Sequence, residues 1–443
     1  MDDQAKPISK PTNQSSQMTS HANSSFKPLR IALVGAGTRG AHLARQLAGF
    51  GQAARMVAVA EPHPERRAKL SRELVLQDLS AFASWEELLQ SSLECDAAII
   101  ATLDHQHTAP AVAFLRRGCH LLLEKPMSDT FAGCLEIVKA QEDSGRILSV
   151  CHTLRYSDHF QRVQEIVVSG RLGQILHLEQ MEAIGHFRFA HNYVRGRWAR
   201  EKENTSLLLH KCCHDLDFIS WVIGHPCRRV SSFGSLCFFQ PGQAPAGSGK
   251  RCLEDCPISH DCLYSAVRLY VETDLTTWPA RDVCSTHTRE AHLEAVRSGR
   301  WGACVWHAGN DVVDHQSVLM EFEGGTTATC TLSGYSSTNG RRCRVQGTRG
   351  ELLYDEAASR IMVREFSSTE TEWIELGRPS EYHPEDREIL KNWLSAIHDP
   401  ANRSVMVDAQ EALRTHAIVF AAEQSRKEKR MVELSDYYNQ FPR

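Results

Sequence analysis

Short apolar runs separated by amphipathic stretches occupy the first third of the chain. The apolar runs lie at residues 29–34, 56–60, 96–101, 120–123 and 147–151. Apolar residues recur at helical spacing between them, at residues 41–48, 85–90, 109–117 and 131–143. Short buried strands that alternate with helices predict a parallel, doubly wound α/β sheet with right-handed crossovers.

The pattern changes after about residue 152. Runs that alternate apolar with polar residues lie at 175–183, 230–239, 318–322, 326–333 and 344–347. Such alternation indicates strands with one buried and one exposed face, and helical spacing returns at 387–397 and 409–425. We predict a Rossmann domain over residues 28–152 and an α+β domain with a large, mostly antiparallel sheet over residues 153–435. Residues 1–27 are rich in Ser, Thr, Asn, Gln and Pro, which predicts a disordered tail.

Glycines follow the first predicted strand at Gly35, Gly37 and Gly40 in a G-x-G-x-x-G pattern. In a dinucleotide site the first glycine allows the tight turn, the second admits the pyrophosphate, and the third lets helix and strand pack closely. Free N–H groups at the helix start then favour the phosphate charge. Glu61 ends the second predicted strand, where an acid accepts hydrogen bonds from ribose hydroxyls. We predict a dinucleotide site that favours NAD, and the nearby arginines at positions 66 and 67 leave NADP open.

Polar residues directly follow several other predicted strands, at Thr102, Glu124, Lys125 and His152. Ligands of doubly wound sheets bind outside the carboxyl ends of the strands. We therefore expect these side chains to share one crevice with the glycine turn.

Charge and hydropathy narrow the class of protein. Lys plus Arg total 50 and Asp plus Glu total 54, so the net charge is −4. Nucleic-acid binding through phosphate neutralisation needs a basic surface, so we expect no nucleic-acid partner. The sequence has no run of about 18 apolar residues and no apolar signal region, so we expect no membrane span. We predict a cytoplasmic protein with a sizeable core.

The chain has 15 cysteines, and in an intracellular protein we expect reduced, mostly buried thiols. Cys252, Cys256 and Cys262 form a C-x3-C-x5-C cluster that also contains His260. Zinc takes four thiolate or imidazole ligands, so these cysteines with His260 or Cys284 are a candidate structural zinc site. The spacing is not that of a C-x2-C pair, so buried reduced thiols and a disulfide remain alternatives.

Motifs in both halves of the chain carry a family resemblance. In order these are VGAGTRG at 34–40, AVAEP at 58–62, the turn at 102–107, the Glu-Lys-Pro at 124–126, GRLG at 170–173, H-x-x-D at 214–217 before W-x-x-G at 221–224, and GTRGE at 347–351. With them the chain resembles the Gfo/Idh/MocA family of NAD(P)-dependent oxidoreductases. The resemblance implies hydride transfer on a sugar, cyclitol or related polyol. It also implies an open-faced sheet that covers the nicotinamide and forms a homo-oligomer interface.

The resemblance further implies roles for single residues. Lys125 would orient the substrate hydroxyl and relay its proton, and His214 matches the family's catalytic histidine. An aspartate that many members carry four residues earlier is His210 in this chain, so Lys211 would supply the second polar function. Arg155 matches an arginine near the cofactor, although a salt bridge between domains is an equal interpretation. The predicted cofactor contacts are Gly35, Gly37, Thr38, Arg39, Gly40, Glu61, Thr102, His107, Glu124, Lys125 and Arg155.

Two further stretches are candidate substrate contacts. Residues 183–200 place many hydrogen-bonding side chains beside aromatic ones, which suits a sugar or acidic-sugar pocket, or else a solvated excursion with an aromatic anchor. Residues 310–315 contain two aspartates and a histidine, which indicate either site residues or a polar strand edge. The predicted substrate-binding residues are His186, His191, Arg195, His210 and Asp215.

Two other functions remain open. The altered residues at 210–214 also suit a redox-neutral glycosidase or lyase, which oxidises a sugar transiently, eliminates a group and returns the hydride. A non-catalytic, cofactor-binding sensor is the third interpretation, and the presence of Lys125 and His214 argues against it.

Overall fold

The structure is a computed structural model, and it describes residues 27–74, 79–377, 384–399 and 407–441. The predicted N-terminal tail, apart from Lys27, lies outside the described residues. No helix in the described part of the chain is long and apolar enough to cross a membrane.

The first sheet has six parallel strands in the order β3-β2-β1-β4-β5-β6. The strands are β1 (Leu29–Val34), β2 (Ala54–Ala60), β3 (Ser80–Phe82), β4 (Ala97–Ile100), β5 (His120–Leu123) and β6 (Leu148–Val150). The helices between them are α1 (Thr38–Ala48), α2 (Pro64–Glu73), α3 (Trp85–Gln90), α4 (Thr108–Arg116) and α5 (Phe131–Ser144). The strand order reverses between β1 and β4, which opens a crevice at their carboxyl ends. The predicted doubly wound sheet is confirmed.

The second sheet has nine strands in the order β14-β13-β12-β11-β7-β10-β9-β8-β15. Its strands are β7 (Ile175–Gly185), β8 (Cys227–Ser235), β9 (His315–Phe322), β10 (Thr327–Ser336), β11 (Gly340–Gly347), β12 (Gly350–Asp355), β13 (Arg360–Glu365), β14 (Glu372–Glu375) and β15 (Val432–Glu433). Its helices are α6 (Asp158–Val168), α7 (His186–Phe189), α8 (Leu207–Ile223), α9 (Ala266–Tyr270), α10 (Arg289–Ser298), α11 (Pro384–His398), α12 (Ala409–Glu428) and α13 (Leu434–Asn439). Only β7 and β10 pair in parallel among these strands, so the prediction of a mostly antiparallel sheet is confirmed.

One face of the second sheet is buried and the other is open. Along β9 the side chains alternate between exposed and buried, with Val318 and Met320 buried and Leu319 exposed. Helices α8 and α12 pack on the buried face. The open face exposes large apolar side chains that include Phe233 and Trp373.

Helix α11 returns from the second half of the chain to the first sheet. Its buried residues Ile389 and Trp393 share a core with Leu33 of β1 and Leu43 of α1. The division predicted at residue 152 therefore does not separate two independent cores, because α11 completes the first one.

The chain between β8 and β9 forms a separate small layer that contains α9 and α10. Its core includes Cys252, Tyr270 and Val296. The strand predicted at 230–239 ends earlier, at Ser235, because the N–H groups of Cys237 and Phe238 bind the Asp314 carboxylate instead of continuing the strand ladder.

Candidate active site

The glycine turn after β1 fits a dinucleotide. Gly35 has a φ of +91°, and a Cβ on it would lie 2.5 Å from the Ala101 carbonyl oxygen. A Cβ on Gly40 would lie 1.9 Å from the Gly35 carbonyl oxygen, so the close packing of α1 requires this glycine. A Cβ on Gly37 would meet no atom within 4 Å. The open space over Gly37 and the absence of a side-chain cap at the start of α1 suit a pyrophosphate.

Glu61 lies beside this turn at the end of β2. Its carboxylate accepts hydrogen bonds from the N–H of Ala36 at 2.8 Å and from the N–H of His63 at 3.0 Å. The side chain is buried, and Arg66 approaches it to 3.7 Å. An acid fixed in this position fits the ribose-binding role that the sequence predicts.

Four other predicted cofactor residues, Arg39, Glu124, Thr102 and His107, make contacts within the protein. The Arg39 guanidinium pairs with Glu124 at 2.7 Å and with Asp386 of α11 at 2.7 Å, so it joins the glycine turn to α11. Thr102 donates a hydrogen bond to the Gln106 carbonyl at 3.2 Å. His107 Nδ1 lies 2.7 Å from the Pro126 carbonyl oxygen, and Thr38 is the first residue of α1.

Lys125 connects the crevice to the second sheet. It follows β5, and its Nζ donates a hydrogen bond to the main-chain carbonyl of His210 at 2.7 Å. His210 lies in the first turn of α8, which packs on the second sheet. The fold therefore brings the amino group of Lys125 to the helix that carries His210 and His214.

His210 is held by an acid that the sequence analysis did not identify. Its Nδ1 lies 2.8 Å from Asp104 Oδ2, and its ring packs on Trp198 with ring centres 4.6 Å apart. Burial lowers the pKa of His210, and the charge of Lys125 lowers it further against the opposing effect of Asp104. The neutral imidazole then donates its Nδ1 hydrogen to the carboxylate. Asp104 follows β4 within the predicted turn at 102–107, and its place after a strand was the available signal.

The pKa of Asp104 is lowered from 3.8 to about 2. Burial by itself would raise it, but the hydrogen bond from His210 and the charge of Lys125 outweigh burial. An aspartate from the first sheet domain thus faces His210, the residue that by resemblance replaces an aspartate.

His214 lies one turn further along α8. Burial, followed by the charges of Lys125 and His152, holds its pKa well below the ordinary value. Its ring meets the edge of His152 with ring centres 5.5 Å apart, and its Nδ1 has no hydrogen-bond partner among the described residues. The result is a neutral imidazole that can accept a proton near Lys125.

Arg155 forms the salt bridge that the sequence analysis left as an equal interpretation. It donates to both carboxylate oxygens of Asp217 in α8, at 2.7 and 2.8 Å, and to Glu411 of α12 at 2.8 Å. Because the guanidinium is buried, these contacts tie the segment after β6 to the helices of the second sheet.

A charged cavity of about 530 Å³ borders the same helix. Lys211 reaches Glu182 at 3.0 Å, and Arg341 reaches the other oxygen of Glu182 at 2.7 Å. Arg188 is exposed at its wall. Asp215 lies beneath the cavity, fully buried, and holds Arg341 at 2.8 Å. Lys211 therefore lines the cavity itself, whereas Asp215 contacts Arg341 from below it.

The structure does not bring His191 and Arg195 to this cavity. The His191 ring stacks on Trp301 at 4.5 Å, and the Arg195 guanidinium donates to the carbonyls of Ala303 and Tyr264 at 2.7 Å. Both side chains are buried against the layer between β8 and β9, so we assign them an anchoring role. His186 lies half-buried beside the rings of Phe187 and Tyr264, next to that layer.

The zinc prediction for Cys252, Cys256 and Cys262 is not supported. Their ligand atoms do not form a group within 4.8 Å of one another in the described part of the chain. Cys252 instead packs in the small core, where its sulfur accepts a hydrogen bond from the Ala266 N–H at 3.4 Å.

Comparisons with known proteins agree with this architecture. A sequence model described as "Oxidoreductase family, NAD-binding Rossmann fold" matches residues 29–152. A second, "Oxidoreductase family, C-terminal alpha/beta domain", matches residues 164–434.

Individual relatives are more distant. The chain is 25% identical over 215 residues to 2,7-anhydro-N-acetylneuraminate hydratase of Escherichia coli (strain K12), with 48% of this chain and 55% of the relative covered. It is 26% identical over 197 residues to inositol 2-dehydrogenase 2 of Saccharopolyspora erythraea, with 44% and 54% covered. The chain thus spans about half the length of these curated relatives.

A solved levoglucosan dehydrogenase, in complex with NADH and levoglucosan, has a similar structure. It superposes with a TM-score of 0.69 over 92% of this chain and 100% of that chain, at 15% identity. At this identity the likeness shows the fold alone.

Proposed function

The chain belongs to the Gfo/Idh/MocA oxidoreductase family, and on that premise we propose that it transfers hydride between NAD and a secondary hydroxyl of a sugar, cyclitol or related polyol. The observation that carries this proposal is the contact of Lys125 with α8 beside two neutral imidazoles, while the adjacent Glu124 pairs with Arg39 of the glycine turn. Oxidation of an alcohol needs both a hydride acceptor and a base for the hydroxyl proton.

The first sheet domain provides the residues for the cofactor. The glycine turn and the free N–H groups of α1 would hold the pyrophosphate, and Glu61 would accept the ribose hydroxyls. Bound nicotinamide supplies the hydride acceptor. An acid at Glu61 favours NAD over NADP because a 2′-phosphate would meet its negative charge.

The residues around α8 would handle the proton. Lys125 would orient the substrate hydroxyl, and His214 would accept its proton because its lowered pKa keeps the imidazole neutral. Asp104 would hold His210 in the tautomer with hydrogen on Nδ1, so that Nε2 of His210 could accept a hydrogen bond from a second hydroxyl of the substrate. Lys211 and Arg188 at the charged cavity would bind the remainder of the substrate.

A redox-neutral reaction is the second candidate. The similarity to 2,7-anhydro-N-acetylneuraminate hydratase favours it. So does His210, which occupies a position where many dehydrogenases of the family carry an aspartate. Such an enzyme would cleave or hydrate a sugar derivative without any net change in NADH.

We also propose that the open face of the second sheet forms a homo-oligomer. Phe233 and Trp373 are 75% and 53% exposed on this sheet, and apolar side chains of this size favour a protein partner. Size-exclusion chromatography with light scattering tests this, and Phe233→Asp should shift the protein toward the monomer. A monomeric wild type would contradict it.

A dehydrogenase screen tests the function. NADH and NADPH formation would be followed with inositols, aldoses, uronates and glycosides, and the products of the glycosides would be analysed separately. Lys125→Ala should abolish turnover of the best substrate, while Lys139→Ala, an exposed lysine of α5, serves as the matched control. Equal rates for wild type and Lys125→Ala would refute the assignment, and glycoside cleavage without NADH would favour the second candidate.

A further inference from the structure

Three side chains of metal-binding type meet at one rim of the second sheet. Cys237 lies just beyond β8, and Asp314 and His315 lie at the start of β9. One ligand atom from each lies within 4.8 Å of the other two, and no other group of three is this compact among the described residues. We propose that Cys237, Asp314 and His315 bind a zinc ion.

Asp314 has the properties of a preorganised ligand. Its carboxylate is fully buried, and Oδ2 accepts hydrogen bonds from the N–H groups of Cys237 at 2.9 Å and Phe238 at 2.8 Å. The Tyr335 hydroxyl donates to the same oxygen. These contacts fix the carboxylate and leave Oδ1 to accept a hydrogen bond from the Nδ1–H of His315 at 2.9 Å, whose hydrogen a bound zinc would replace.

The buried carboxylate lacks a strong counter-charge. Among the described residues, no lysine or arginine forms an ion pair with Asp314. The only basic side chain that contacts its carboxylate there is His315. Burying a carboxylate is costly unless it is paired or coordinates a metal. A divalent cation at Oδ1 would supply the missing positive charge.

The types of ligand atom at this site favour zinc over other metals. A thiolate, an imidazole and a carboxylate together match the ligands of zinc, and three protein ligands leave a fourth position open. Cys237 and His315 are exposed, and they line a cavity of about 520 Å³ together with Phe238, Tyr264 and Tyr335. Water or a small ligand can therefore reach the fourth position from this cavity.

Cobalt titration of the full-length chain tests the proposal independently of catalysis, because Co²⁺ in place of zinc gives a thiolate charge-transfer absorption. We expect one Co²⁺ per chain, displaced by Zn²⁺, with affinity that rises with pH as the thiol and imidazole lose their protons. Cys237→Ser should remove the charge-transfer band, and His315→Ala should weaken binding at least tenfold.

The half-buried Cys256 provides the control. Cys256→Ser should keep the band and the stoichiometry, because this thiol belongs to the layer between β8 and β9. Absence of stoichiometric cobalt in the folded wild type would overturn the proposal. Loss of the band in Cys256→Ser with its retention in Cys237→Ser would overturn it as well and would assign the metal to the other cysteines.

Discussion

Replacing Asp104 with asparagine removes the negative charge that faces His210 across the two sheet domains. The side chain of Asp104 is mostly buried, and its pKa falls from 3.8 to about 2 in the folded protein. A difference of this size corresponds to about 2 kcal/mol of folding free energy. We therefore expect Asp104→Asn to lower the free energy of unfolding by about 2 kcal/mol at neutral pH.

The same shift fixes how the effect depends on pH. A carboxyl group with a depressed pKa stabilises the folded state above its unfolded pKa, and this contribution is lost as pH falls through the folded pKa. The difference between wild type and Asp104→Asn should thus be constant above about pH 5 and shrink between about pH 4 and pH 2.

Urea unfolding followed by tryptophan fluorescence measures this difference, using the first transition if the domains unfold separately. Asp143→Asn is the matched control, because Asp143 lies exposed on α5 and pairs with Lys139 at the surface. The control should change stability by less than about 0.5 kcal/mol. Equal stabilities for the two variants at neutral pH, or a gap that persists at low pH, would refute the role given to Asp104.

Three other predictions follow from the site. Gly37→Ala should keep the thermal stability of the wild type, because the added Cβ enters only open space. The same Cβ should weaken NAD binding at least tenfold in calorimetry, because it occupies the space for the pyrophosphate. Gly40→Ala should fail to fold stably, because its Cβ would collide with the Gly35 carbonyl oxygen. Arg155→Ala should lower the free energy of unfolding, measured in urea, by about 3 kcal/mol. The reason is that the buried Asp217 carboxylate loses its guanidinium partner. A change in the KM for NAD with unchanged stability would instead indicate a cofactor contact. The acid limb of the kcat/KM profile should lie below pH 6.5, because the depressed pKa of His214 keeps this base neutral to lower pH, and a limb above 6.5 would exclude His214 as the base.

The position of the candidate cofactor residues at one edge of the first sheet could be predicted from the sequence to a large extent. The glycine pattern, Glu61 and Lys125 each follow an apolar run, and parallel strands bring their carboxyl ends to one edge of a sheet. Neighbours along the chain determine these positions, so the placement of these residues at strand ends could be predicted without knowledge of distant contacts.

The surroundings of the candidate substrate residues in the second half of the chain were less predictable. His191 and Arg195 have the chemistry of sugar-binding residues, but the layer between β8 and β9 folds over them and uses their hydrogen bonds. The composition of a stretch shows which hydrogen-bonding side chains it contains. Whether those side chains face solvent depends on a segment that is distant in the sequence.

The sequence by itself determined the strand-helix alternation, the dinucleotide turn and the position of Lys125, because local periodicity and backbone geometry encode them. Tertiary structure alone decided that Asp104 faces His210, that Arg155 bridges α8 and α12, and that α11 completes the first core. These pairings join residues that lie about 60 to 360 positions apart, and only the packing of distant segments brings them together. The partner of a histidine or an arginine therefore depends on packing that no local pattern contains.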